Sequence, residues 1–243
     1  MVTDGAGNIT NASTEDVNSN GTVPATATFS AQYTAAGAGR FTLNNFSNFV
    51  NGATVPEYAA YPSSGGLLLL EIDGSDITVG AAFAPRSSTT FAASQGYGLN
   101  LSGTNLGGST GSTAEVDDIA EFTAASSGST VTGIVDENSD AGIMSFDLAL
   151  NGTFTAPDSN GRGAITATAG NSSNSTLNGG FGLTFYTVDG TTFPFIESDG
   201  GQVAAGVFFL QSTPGGSAAV AKAHNMFVPG PILRPHANRT KQK

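Results

Sequence analysis

The residues of this chain that could do chemistry are nearly all carboxylates. Asp117 and Asp118 stand with Glu121, and Asp136 and Glu137 stand with Asp140. Two carboxylates facing each other across a sugar would make a glycoside hydrolase. Adjacent acids in one strand point to opposite faces, so neither cluster presents such a pair by itself. Trp, which would serve as a sugar platform, is absent. Calcium is the better use of these acids. Asp136, Glu137, Asn138 and Asp140 offer several oxygen ligands within what reads as one turn, and Ca²⁺ accepts irregular oxygen sets. Glu15-Asp16-Val17-Asn18 stands at the matching place in the first half. The spacing is not that of an EF-hand, and turns favour Asp and Asn for backbone reasons alone. Calcium is the one candidate cofactor; no other is expected.

Other chemistry finds less support. His224 and His236 both lie in the C-terminal tail, where nothing holds them beside a nucleophile. The chain has no Cys, which removes disulfides and thiolate metal sites. Gly107-Gly108-Ser109-Thr110-Gly111 lacks the Lys of a phosphate loop. Sequons such as Asn100-Leu101-Ser102 and Asn151-Gly152-Thr153 arise by chance in a chain this rich in Asn, Ser and Thr. Arg40 and Arg162 are the only cations inside strands, and they occupy equivalent positions, as do Glu71 and Glu197. An Arg among neutral strands needs a partner. We therefore expect a structural ion pair in each unit, Arg40 with Glu71 or Asp73 and Arg162 with Glu197 or Asp199. No residue is read as catalytic, and the chain is read as not an enzyme.

The equivalence of those residues follows from an internal repeat. Gln32-Tyr33-Thr34-Ala35, then Gly39-Arg40, recurs as Thr153-Phe154-Thr155-Ala156, then Gly161-Arg162. Leu70-Glu71-Ile72-Asp73-Gly74 recurs as Ile196-Glu197-Ser198-Asp199-Gly200. The spacing of about 120–126 residues marks a duplicated domain and not a short solenoid unit. Gly, Asn, Asp and Ser punctuate the chain, with short runs rich in Thr, Val, Phe and Ile between them, the pattern of an all-β sandwich or barrel. Ala218–Ala223 is the only plausible helical turn.

The second unit reads as eight strands: 96–103, 114–124, 130–135, 143–156, 161–169, 181–188, 192–198 and 202–211. In the fourth, Phe146, Leu148, Leu150 and Phe154 alternate with Ser145, Asp147, Asn151 and Thr153, which predicts one buried and one wet face. Eight consecutive antiparallel strands close into a meander barrel, which removes exposed edges. The first unit matches only the last six: 8–12, 23–35, 40–44, 57–61, 67–72 and 77–84. The expected architecture is therefore all-β, two tandem antiparallel meander barrels of about eight strands, the first incomplete at its N-terminus. The expected domains are 1–86, 87–213 and a flexible basic Pro/Gly-containing tail, 214–243, with residues 86–94 as a linker. The edge strands of the incomplete unit invite self-association, or a strand borrowed from the tail around Ala218–Val228.

Charge narrows the partners. All 19 acids and only three of the eight cations (Arg40, Arg86 and Arg162) precede residue 214. Such a body cannot neutralise phosphates, so nucleic acid is not expected. Charged residues make up 11% of the chain, well below the roughly 25% of an ordinary domain, so the surface is neutral and polar as in secreted β-proteins. No apolar run is long enough for a transmembrane helix. The start, Met1–Gly7, has neither a basic nor an apolar signal region. Taken at face value the chain is not exported; the repeat gives another reading, that the chain begins partway through a domain with its true start and export signal absent.

The second unit carries GYGLNLSG, GSTVTGIVDEN, LNGTFTAPDSNGRGAIT, FYTVDG and FIESDGGQVAAGVFFLQ. These turn-and-strand motifs resemble a β-barrel repeat of secreted proteins from soil bacteria, often found beside bacterial immunoglobulin-like modules. The resemblance covers roughly residues 1–211 and implies no biochemical activity. It implies a bacterial, extracellular or cell-surface protein with a protein or glycan partner. The general shape also resembles calycin barrels such as lipocalins and streptavidin, without their Trp-containing start motif. The expected function is a non-catalytic secreted or cell-surface structural and interaction module. The alternatives are a small-ligand-binding calycin-like barrel and a carboxylate-dependent glycoside hydrolase.

Overall fold

The structure is a computed structural model. It describes residues 1–18, 22, 26–47, 55–63, 66–74, 79–84, 90–106, 114–125, 127–140, 142–170 and 180–211. The tail with His224 and His236, the Ala218–Ala223 turn, the tail segment around Ala218–Val228 and the expected boundary at residue 86 lie outside the described residues.

Among the described residues every regular element is a strand. The first unit contains β1 (Asn8–Glu15), β2 (Ala27–Gly37), β3 (Arg40–Ser47), β4 (Tyr58–Ser63), β5 (Gly66–Glu71) and β6 (Val79–Ala82). They form an open antiparallel meander in chain order. The second unit contains β7 (Gly96–Asn105), β8 (Ala114–Ala124), β9 (Thr130–Ser139), β10 (Ile143–Phe154), β11 (Arg162–Ala169), β12 (Phe181–Tyr186), β13 (Thr192–Glu197) and β14 (Gln202–Leu210). These close into a barrel, with β14 paired to β7. The all-β architecture, one complete barrel and one incomplete, is as the sequence predicts.

The duplication extends to the hydrogen-bond register. Tyr58 faces Glu71 and Ala59 faces Leu70 in the first unit; Leu183 faces Glu197 and Thr184 faces Ile196 in the second. Phe41 faces Ala60 as Gly163 faces Phe185. Even a loop contact repeats: Asp73 Oδ2 accepts the Glu57 N–H at 2.8 Å, and Asp199 Oδ2 accepts the Gly182 N–H at 2.7 Å.

The barrel interior is filled by rings. Tyr97, Phe122, Phe185, Phe193, Phe195 and Phe208 point inward and are buried. Phe91 precedes β7, in the segment expected to be a linker. It enters this cluster instead, with ring centroids 4.7 Å from Phe193 and 5.0 Å from Tyr97 and Phe185. Space for the rings comes from a missing side chain: a Cβ at Gly163 would come within 2.3 Å of the Phe185 ring. Neighbouring rings lie with centroids 4.4 to 6.2 Å apart, the spacing of packed aromatic pairs.

One buried face differs from expectation. Phe146 is 66% exposed and Ser145 is buried. The cause is a β-bulge between Ser145 and Leu148, where Asp147 adopts φ 52°. One extra residue reverses the alternation on its N-terminal side while Leu150 stays inward.

Candidate functional site

The expected calcium turn is a strand. β9 runs through Ser139, so Glu137 points into the barrel while Asp136, Asn138 and Asp140 are exposed. The four do not converge. Asp136 Oδ1 instead accepts the Asp147 N–H of the bulge at 2.7 Å, and Asp140 Oδ1 accepts the Glu115 N–H at 2.7 Å. Among the described residues no three His, Asp or Glu side chains are grouped so as to hold a metal ion.

The inward acids form a second cluster. Asp118 faces Glu137 across β8 and β9, Glu197 points inward from β13, and each is only 1% exposed. Both Asp118 carboxylate oxygens lack a hydrogen-bond partner among the described residues. Burial, then the charges of Glu137 and Asp117, push the Asp118 carboxyl up to about 7. Burial, then Asp199 and Asp118, push Glu197 up to about 8. Such groups retain protons near neutrality. Their burial keeps them from a sugar in solution, which a hydrolase would need to reach.

The expected Arg–Glu pairs do not form. Arg162 alternates with inward Gly163 and Ile165, so it stands on the outer wall while Glu197 stands inside. Arg40 stands outside in the same way, alternating with Phe41 and Leu43 of the core, while Glu71 follows Leu67 and Leu69 on the core side. The thickness of the sheet separates each pair, because alternation places the two partners on opposite faces.

Arg162 finds a different acid, in the other unit. Beyond the end of β1, Asp16 reaches the outer wall of the barrel. Arg162 donates to it through Nε at 2.7 Å and Nη2 at 2.6 Å, Tyr186 through its hydroxyl at 2.5 Å, and Thr26 through Oγ1 at 2.8 Å. This is the one salt bridge among the described residues, with the Asp16 side chain 9% exposed. Burial tends to raise the Asp16 carboxyl, but the hydrogen bonds from Arg162, Tyr186 and Thr26 outweigh it and hold the group below the usual carboxylate range. Burial first, then the bond to Asp16, pushes the Tyr186 hydroxyl well up. Two residues on, Asn18 Nδ2 donates to the Gln202 carbonyl at 2.6 Å, with the Glu197 and Asp199 carbonyls at 3.2 Å. These contacts latch the first unit to the second. Between them lies a cavity of about 460 Å³, lined by Val2, Phe29 and Ala82 on one side and Tyr186, Pro194 and Ile196 on the other.

The first unit carries the same outer face, and part of it is exposed. Phe41 pairs with Ala60, so the cross-strand neighbour of Arg40 is Tyr61, the register equivalent of Arg162 and Tyr186. Arg40 Nε is buried and has no hydrogen-bond partner among the described residues. Tyr61, Leu68 and Leu70 are exposed there. Sequence reasoning singled out both arginines but not Asp16 as their kind of partner, nor Tyr186. The signal available was the placement of Glu15-Asp16-Val17-Asn18 opposite the second unit's acids.

Comparison with protein-family models, curated proteins and solved structures returns no match.

Proposed function

We propose that this chain is a non-catalytic structural and interaction module of the secreted or cell-surface kind, related to the bacterial β-barrel repeat that its motifs resemble. The observation that carries this reading is the latch of Asp16 on Arg162 and Tyr186. The strongest polar contact found joins unit to unit, while the barrel interior is occupied by rings and by carboxyls that hold protons. Such a chain transmits load or presents surfaces; it does not turn over a substrate. Calorimetry tests the joined body. The intact chain should unfold in one transition, and Asp16→Ala should split it into two. Two transitions in the unaltered chain would show that the units are not joined. Cell fractionation tests the location, and recovery only from cytosol would remove the extracellular part of the proposal.

Ligand binding is favoured as a second reading at one place, the inter-unit cavity. Its apolar lining and volume suit a small apolar molecule. An apolar fluorescent dye that brightens with the intact chain and not with Ala82→Trp would support it. Equal brightening with both would remove it.

A further inference from the structure

We infer that the open outer face of the first unit, centred on Arg40 and Tyr61, docks a second copy of this chain, which presents Asp136 to it as Asp16 is presented to Arg162 and Tyr186. The inference goes beyond the proposed function, which needs no self-association.

Four observations carry it. The acceptor face exists twice in register, and one of its two copies is already seen engaged. In the second unit, Tyr186 on this face is half-buried against the first unit; in the first unit its register equivalent Tyr61 is 47% exposed. The acceptor strand is also built for covering on both sides. Leu67 and Leu69 of β5 pack on the first unit's core, and Leu68 and Leu70 place equal apolar surface outside. The third observation is the guanidinium. Arg162 Nε donates to a carboxylate, whereas Arg40 Nε is buried with no acceptor among the described residues, a costly arrangement that an incoming acid would relieve.

The fourth observation names the acid. Glu15 pairs with Ala27, which places Asp16 opposite Thr26; Val135 pairs with Leu148, which places Asp136 opposite Asp147. The Thr26 hydroxyl donates to Asp16 Oδ1 and the Asp147 backbone N–H donates to Asp136 Oδ1, so each acid is held by a donor from the same neighbour position. Asp136 is exposed on the outer wall beside Ile119 and Ile134, along a groove of about 390 Å³ that Phe209 also lines. Exposed apolar side chains with two acids, Asp136 and Glu121, thus match exposed apolar side chains with one arginine. Donor and acceptor lie on different units, so the contact is heterologous and repeats head to tail.

Sedimentation velocity on the full chain across a concentration series tests this. The intact chain should grow in mass with concentration. Arg40→Ala and Asp136→Ala should each weaken that growth about tenfold or more, with far-UV spectra unchanged. Mixed together, the two variants should form a dimer that grows no further, because each retains one competent face. Tyr61→Ala should weaken growth as Arg40→Ala does. A chain that stays monomeric at every concentration overturns the inference. So does growth that Asp136→Ala leaves intact, including growth that only Asp16→Ala removes, which would mean an exchanged latch. None of these outcomes touches the single-transition test of the proposed function.

Discussion

Arg162 grips Asp16 across 146 residues of sequence through two parallel N–H bonds of 2.7 and 2.6 Å, and the Tyr186 hydroxyl completes the seat. Fork-shaped contacts of this kind fix angle as well as distance, which Lys could not do. Arg162→Lys should therefore retain the charge yet lose most of the latch, and Tyr186→Phe should cost about 1.5–3 kcal/mol for its hydrogen bond to a charged carboxylate. Denaturant titration of both variants measures this. Full stability in Arg162→Lys would show that charge alone suffices.

Stability should depend on pH in opposite directions for the two acid groups. Asp118 and Glu197 have folded values raised to about 7 and about 8, so the folded state binds their protons more tightly than the unfolded chain. Their contribution is complete below the ordinary carboxylate range and is lost as pH rises through about 7 to 8. Asp16 has a lowered value, so its contribution is present above the ordinary carboxylate range and is lost as pH falls below it. The melting temperature should peak in mildly acidic solution and decline toward pH 8. Asp118→Asn with Glu197→Gln should flatten the alkaline decline. A curve that rises from pH 5 to pH 8 would contradict the buried, protonated carboxyls.

Phe91 closes the ring cluster from outside the strand pattern. Phe91→Ala would remove contacts with Tyr97, Phe122, Phe154, Phe185, Phe193 and Phe208 at once. The expected loss is about 3–5 kcal/mol, a mixture of lost burial and a cavity the barrel cannot collapse into. Equilibrium unfolding checks it, and a loss below about 1 kcal/mol would return residues 90–94 to the status of a linker.

Strand positions were legible because they depend on local signals. β8 alternates without a fault from Ala114 to Ala124, and turn residues bracket it, so both ends match the expected ones. The repeat placed all six strands of the first unit by analogy with the second. Three things were not legible. The Asp147 bulge is a one-residue change of phase, and an alternating pattern looks the same on either side of it, so Phe146 and Ser145 were assigned to the wrong faces. β9 was ended at Val135 because Asp136-Glu137-Asn138 has the composition of a turn, yet pairing with β8 on one side and β10 on the other keeps it extended. The partner of Arg162 is on another unit, and no periodicity within one strand points across that distance. Both arginines were identified as needing a partner because charge is rare here; which acid answers depends on which side of the wall each stands.

Leu70 offers a further check on the open face. It is exposed on β5, while its equivalent Ile196 is half-buried beside the first unit. Leu70→Ser should leave the unfolding free energy within about 0.5 kcal/mol of the original, whereas Ile196→Ser should cost about 1–3 kcal/mol. Equal losses at the two positions would mean that the faces are equally covered.

A double-mutant cycle on Asp16 and Arg162 is the most direct measurement of whether the two units act as one body. Asp16→Ala, Arg162→Ala and the pair would be unfolded with denaturant under identical conditions. The latch predicts a coupling of about 2–3 kcal/mol, between the value of an ordinary hydrogen bond to a charge and that of a fully buried ion pair. A coupling near zero would mean that Asp16 and Arg162 contribute independently, and that the contact between the units holds nothing together.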